Sequence, residues 1–126
     1  MEKKLTILAV DDDFINLKLI SSMLKKNSQV GQIFEAINGL DALNKLQEVD
    51  GINLVLLDIK MPVMDGIEFL RNLQSMPNMK KMPVIVLTTD ETRKSEAFEH
   101  GAFDFLVKPI RENDLNTKIA KISDLL

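Results

Sequence analysis

Acidic residues, a threonine and a lysine stand at or just past the ends of short apolar runs: Asp11, Asp12 and Asp13 after LTILAV, Asp58 after NLVLL, Thr88 after VIVL, and Lys108 after FDFLV. Carboxylates brought together repel one another unless one is protonated or a cation bridges them, and a donor set made of oxygen alone suits Mg2+, with Mn2+ as the alternative. A carboxylate beside such a cation can attack phosphorus and become an aspartyl phosphate, while a lysine neutralises the phosphoryl oxygens and a hydroxyl donates to them. Asp58 is the candidate acceptor, because it alone closes its apolar run. Asp11 and Asp12 are adjacent and better placed as metal ligands. Lys108 would supply positive charge and Thr88 a hydroxyl donor.

These groups meet only if the chain brings the ends of its apolar runs to one edge. The runs Leu5 to Val10, Ile33 to Ile37, Asn53 to Leu57, Val84 to Leu87 and Phe103 to Val107 are short and mostly rich in Val, Ile and Leu, which suits buried parallel strands. Between them lie segments of helical period: Leu17, Ile20 and Leu24; Ala42, Leu43 and Leu46; Ile67, Leu70 and Leu73; and a weaker one around Ala97 and Phe98. A fifth, from about Glu112, carries Leu115, Ile119 and Ile122. Asn38-Gly39 and Asp65-Gly66 open helices, Asp13 is expected as an N-cap, Pro83 starts a strand, and Gly101 sits just past a helix end. Five consecutive βα units predict a doubly wound α/β fold, (βα)5, in one domain over residues 1–126. Ligands of such a sheet bind beyond the carboxyl ends of its strands, where the polar residues above converge.

Composition narrows the chemistry. The 126 residues contain no cysteine and one histidine, which excludes disulfides, thiolate zinc sites and a cysteine nucleophile. A net charge of −3, from 19 acidic against 16 basic residues, is too balanced for a nucleic-acid or membrane-surface footprint. No apolar stretch approaches the roughly 18 residues of a membrane span, and MEKKLTILAV lacks a signal peptide's apolar core and cleavage site. A cytoplasmic location is therefore expected. Lone His100 reads as a helix C-terminal residue, Met61, Met64, Met76, Met79 and Met82 as fillers of gaps and loops, and Lys80 and Lys81 as solvated.

The segments LTILAVDDD, LVLLDIKMPVMDG, PVIVLTT and GAFDFLVKP resemble, in order and spacing, the four sequence blocks of the CheY-like receiver domain of two-component response regulators. EAINGLDAL resembles that family's second strand and helix, so the resemblance covers nearly the whole chain. It implies the flavodoxin-like strand order 2-1-3-4-5. It also implies that Asp58 accepts a phosphoryl group from a histidine kinase or histidine phosphotransfer protein. Mg2+ would be bound directly by Asp12, Asp58 and the backbone carbonyl of Lys60, and by Asp11 mainly through water. Thr88 and Lys108 would contact the phosphoryl group, and Phe105 fills the place of the switch aromatic, where Tyr is frequent. Phosphorylation would draw the Thr88 hydroxyl inward, turn Phe105 toward the core and remodel the surface around the fourth helix, fifth strand and fifth helix. Thr89 stands where a smaller residue is common; Lys60, Thr89 and Asp90 border the reaction site and are expected to tune its rates, and Lys60 either pairs with Asp90 across its mouth or points into solvent with no such role.

Two other readings compete. Asp11, Asp13 and Lys108 echo haloacid-dehalogenase phosphatases, but such enzymes place a further strand and an acidic metal motif after the lysine, where this chain has one helix. A purely structural interaction domain would be expected to have lost pocket residues that are all present here. The expected role is a phosphorylated signalling domain without an enzymatic activity of its own beyond gaining and losing the phosphoryl group. It would be either a stand-alone relay intermediate or a receiver cut from a multidomain regulator or hybrid kinase.

Overall fold

The computed structural model describes residues 4–79 and 81–126; the expectation for Lys80 falls outside them, whereas Lys81 is exposed as expected. Strands and helices alternate throughout: β1 (Leu5–Val10), α1 (Phe14–Lys25), β2 (Val30–Ala36), α2 (Gly39–Glu48), β3 (Leu54–Leu57), α3 (Gly66–Ser75), β4 (Val84–Thr88), α4 (Lys94–Glu99), β5 (Asp104–Val107) and α5 (Glu112–Asp124). A short 3-10 helix at Glu91–Arg93 precedes α4. All strand pairs are parallel, in the order β2-β1-β3-β4-β5. No helix is long and apolar enough to cross a membrane among the described residues.

The period-two alternation of the strands splits the apolar side chains into two cores. Leu8 and Val10, Val55 and Leu57, and Val84 and Val86 face α2, α3 and α4, where Ala42, Leu46, Ile67, Phe69, Leu70 and Ala97 meet them. Leu5, Ile7 and Ala9, Leu54 and Leu56, and Ile85 and Leu87 face α1 and α5, against Leu17, Ile20, Leu24, Leu115, Ile119 and Ile122. Because β1, β3 and β4 are covered on both faces, they read as uninterrupted apolar runs. Met61, Met64, Met79 and Met82 pack at the border of the first core, the gap-filling role their flexibility suits.

Three helix starts are fixed by side chains that their types predict. Asp13 accepts from the N–H of Ile15 and Asn16, Asn38 from that of Asp41, and Asp65 from that of Glu68. Past α4, Gly101 takes a φ of +94°, the left-handed turn a glycine adopts without a Cβ penalty.

Only β1 matches its expected bounds: β4 runs one residue further, to Thr88, and β5 starts one residue later, at Asp104. β2 starts at Val30, three residues before the expected Ile33, and stops at Ala36. It is an edge strand whose exposed Gly31 and Gln32 break the apolar signal, and its register against β1 shifts there, Leu5 pairing with Val30 and Thr6 with Gln32. β3 starts after Asn53, whose N–H donates to the Thr6 carbonyl at 2.8 Å while its Oδ1 accepts from the Thr6 N–H, also at 2.8 Å. That reciprocal clamp joins the start of β3 to β1 through a side chain.

α3 lies so close to the end of β3 that a Cβ at Gly66 would fall 2.5 Å from the Asp58 carbonyl oxygen and 2.8 Å from Ile59 Cα. The Gly66 N–H donates to the Ile59 carbonyl at 2.8 Å. Gly66→Ala must therefore push α3 away from the strand that carries Asp58, and a loss of about 1–3 kcal/mol is expected in denaturant unfolding. An unchanged unfolding midpoint would contradict the close approach.

Candidate functional site

The carboxyl ends of β1, β3, β4 and β5 meet at one edge, and backbone bonds lock their relative heights. Asp11 N–H donates to the Ala36 carbonyl at 3.1 Å, Asp58 N–H to the Val10 carbonyl at 3.0 Å, and Lys108 N–H to the Thr88 carbonyl at 2.8 Å. The side chains at this edge are thereby placed by the sheet itself.

Asp11, Asp12 and Asp58 each present a carboxylate oxygen within 4.8 Å of the others. Asp11 and Asp58 are buried, and Asp12 is exposed. Lys108 reaches in from β5: its Nζ lies 2.8 Å from Asp11 Oδ2 and 3.7 Å from Asp58 Oδ1. Asp11 Oδ1 accepts from the Asp13 N–H at 2.9 Å, so both Asp11 oxygens have protein donors. Asp58 Oδ1 accepts from the Ile59 N–H at 2.9 Å. Thr88 is buried, and its Oγ1 accepts from the Asp90 N–H at 3.2 Å, which leaves its own proton free to donate.

Burial pushes the Asp58 carboxyl up from 3.8 to about 6; Lys108 and the Ile59 N–H oppose the rise, and Asp11 and Asp12 add to it. Three carboxylates share one nearby ammonium, so the cluster is short of positive charge. An all-oxygen donor set with that deficit fits a divalent cation such as Mg2+.

Of the residues singled out from sequence, Asp11, Asp12, Asp58, Thr88 and Lys108 come together. Asp13 stands apart as the α1 cap. Of the two alternatives for Lys60, the structure shows the exposed one. Lys60 and Asp90 form no ion pair among the described residues; Lys60 is exposed, and the Asp90 carboxylate turns back to accept from the N–H and hydroxyl of Thr92, capping the 3-10 helix. An aspartate two residues before a threonine satisfies its own turn before it reaches across a cleft. Phe105 is buried at 8% exposure and packs in the core with Ala97 and Ala102. Sequence alone also missed the backbone donors from Ile59 and Asp13, which come from the turn after each strand.

Because the Asp58 carboxyl binds its proton more tightly folded than unfolded, its contribution favours folding in full below 3.8 and is lost as pH rises through about 6. Asp58→Asn, measured in chelator, should therefore exceed the parent in stability by about 2–3 kcal/mol at neutral pH and converge with it in acid. Equal stability across that range would contradict the raised value.

The match to known proteins agrees with this geometry. The family model described as response regulator receiver domain matches residues 7–120. The two-component response regulator ARR17 of Arabidopsis thaliana is 35% identical over 128 residues, covering 91% of this chain and 82% of its own length. The cyclic di-GMP phosphodiesterase response regulator RpfG of Xanthomonas campestris is 34% identical over 123 residues, 96% of this chain and 32% of that protein. The chain spans about a third of the length of the first curated relatives it matches. Among solved structures, the chemotaxis protein CheY4 of Vibrio cholerae superposes with a TM-score of 0.85 at 29% identity, over 94% of this chain and 98% of that one.

Proposed function

The chain belongs to the response regulator receiver domain family, and from that premise we propose that Asp58 accepts a phosphoryl group from a histidine kinase or histidine phosphotransfer protein. The unit proposed is the whole of residues 1–126, acting in the cytoplasm as a signalling domain rather than as a metabolic enzyme. The observation that carries the reading is the buried carboxylate of Asp58 between Lys108 and two further acids, at the end of a central strand. Family and site together favour it over the dehalogenase-like alternative.

In the transfer, a carboxylate oxygen of Asp58 forms the new bond to phosphorus while the donor's bond to phosphorus breaks, its electrons leaving with the donor nitrogen or oxygen. Oδ1 is held by the Ile59 N–H, which fixes the carboxylate plane. Lys108 follows the charge from Asp11 and Asp58 to the phosphoryl oxygens, and the Thr88 hydroxyl donates to one of them. Asp12, Asp58 and the Lys60 carbonyl would hold Mg2+, or Mn2+, directly. Asp11, whose oxygens already accept from Lys108 and Asp13, would act through water. When bound, the cation supplies the further positive charge that lets an anionic acceptor meet an anionic phosphoryl group.

A donor must approach over the mouth of the site. There α1 exposes Phe14, Ile15 and Leu19, and a cleft of about 400 Å³ lined by Leu19, Met23, Thr89, Lys108, Pro109 and Ile110 runs from α1 to the turn after β5. That apolar surface beside Lys108 suits a helical donor domain. Lys60, Thr89 and Asp90 stand where water would enter, and in this reading they set the lifetime of the phosphoryl group singly, without an ion pair between them. The switch is a population shift in the surface of α4, β5 and α5, with Thr88 and Phe105 the moving parts.

With Mg2+ and a small acyl-phosphate donor, the chain should gain one phosphoryl group, read as intact mass, and Asp58→Ala should abolish the gain. Lys108→Ala should slow it by about 10- to 100-fold, the effect expected when a charge on the developing phosphoryl group is lost. Undiminished incorporation in Asp58→Ala would overturn the assignment.

A further inference from the structure

A second set of polar groups lies on the opposite side of the sheet from β5. Among the described residues β2 pairs with β1 alone, so its other side is an open edge. The Ala36 carbonyl accepts from Asp11 N–H, which turns the Ala36 backbone toward β1. Backbone groups of successive strand residues alternate in direction. Phe34 therefore also faces β1, whereas Ile33 and Glu35 direct their N–H and C=O groups outward, where no strand receives them.

Beside this edge runs a groove of about 440 Å³, bordered by Lys18, Ser21 and Lys25 of α1, Ile33 and Glu35 of β2, and Lys45 of α2. Ser21 is buried and donates from Oγ to Glu35 Oε2 at 2.8 Å. That bond orients the Glu35 carboxylate but leaves its charge, so the groove sets three ammonium groups against one carboxylate. None of Lys18, Lys25 and Lys45 forms an ion pair among the described residues. Lys18 lies 4.8 Å from the centre of the Phe14 ring, a contact that leaves its charge in place.

An open strand edge accepts a further strand through backbone hydrogen bonds, and side-chain charge decides which strand. We propose that β2 takes up an extended acidic segment of a partner protein, which pairs with the outward groups of Ile33 and Glu35 and places its carboxylates against Lys18, Lys25 and Lys45. Pairing of β2 with a second copy would set two groups of lysines against each other, a repulsion that an acidic segment converts into attraction. The edge lies apart from Asp58, so docking there and phosphoryl uptake are separately measurable.

The probe is a blocked six-residue peptide of alternating Glu and Val, titrated into the full chain labelled with 15N. Saturable shifts and slowed hydrogen exchange at the Ile33 and Glu35 amides are expected. The same peptide N-methylated at alternate residues keeps its charge but loses its backbone donors, and it should bind about tenfold more weakly, as should the unmodified peptide to Lys45→Glu or, if that variant does not fold, Lys25→Glu. Phosphoryl uptake at Asp58 should be unchanged in the folded lysine variant. Absence of saturable binding, shifts elsewhere, or equal affinity for the N-methylated peptide would overturn the proposal. Tripolyphosphate binding as tightly with the same shifts would replace it with a small-anion site. Concentration-dependent shifts at Ile33 and Glu35 without peptide, with a dimer in sedimentation, would replace it with self-pairing.

Discussion

Three carboxylates forced to within 4.8 Å of one another, with one lysine ammonium among them, are the constraint around which the rest of this molecule is arranged. The sheet imposes the crowding, since the bonds from Asp11, Asp58 and Lys108 N–H groups to neighbouring strands fix where each side chain must start. Burial then makes Asp58 costly to ionise. A site of this kind holds its charge imbalance in reserve, to be relieved when positive charge arrives. Lys108 offsets part of it by bonding Asp11 and standing near Asp58, and α3 closes over the back of β3 because Gly66 has no side chain to prevent it.

The central elements were legible in the sequence because burial on both faces leaves β1, β3 and β4 as plain apolar runs, each ending in a residue that carries chemistry. The same logic explains where reading failed. β2 is an edge strand, and Gly31 and Gln32, where its register against β1 shifts, erase its hydrophobic signature. Asn53 reads as strand, but its side chain and backbone together clamp Thr6 from outside the strand. The five polar residues of the site were legible from their position after the runs. Their partners were not: the Ile59 and Asp13 N–H donors depend on the backbone path of a turn, which residue types leave open.

One local competition decides where Lys60 and Asp90 stand. Asp90 could face Lys60 or its own turn, and the nearby Thr92 donors win because they require no reach across solvent. Phe105 lies in the core with Ala97 and Ala102. The Thr88 hydroxyl accepts the Asp90 N–H and so ties the end of β4 to the segment leading into α4. The open edge of β2 lies at the other side of the sheet, so a partner could be held there while the carboxyl edge exchanges phosphoryl groups.

The charge imbalance at Asp58 is open to direct observation by 13C NMR titration of its side-chain carboxyl, with and without Mg2+. In chelator the Asp58 signal should titrate with a midpoint of about 6. With saturating Mg2+ the midpoint should fall below the ordinary carboxylate value near 4, because a bound cation favours the charged form. A midpoint near 4 in chelator that does not move with Mg2+ would contradict both the crowded, buried carboxylate and the cation it is expected to hold.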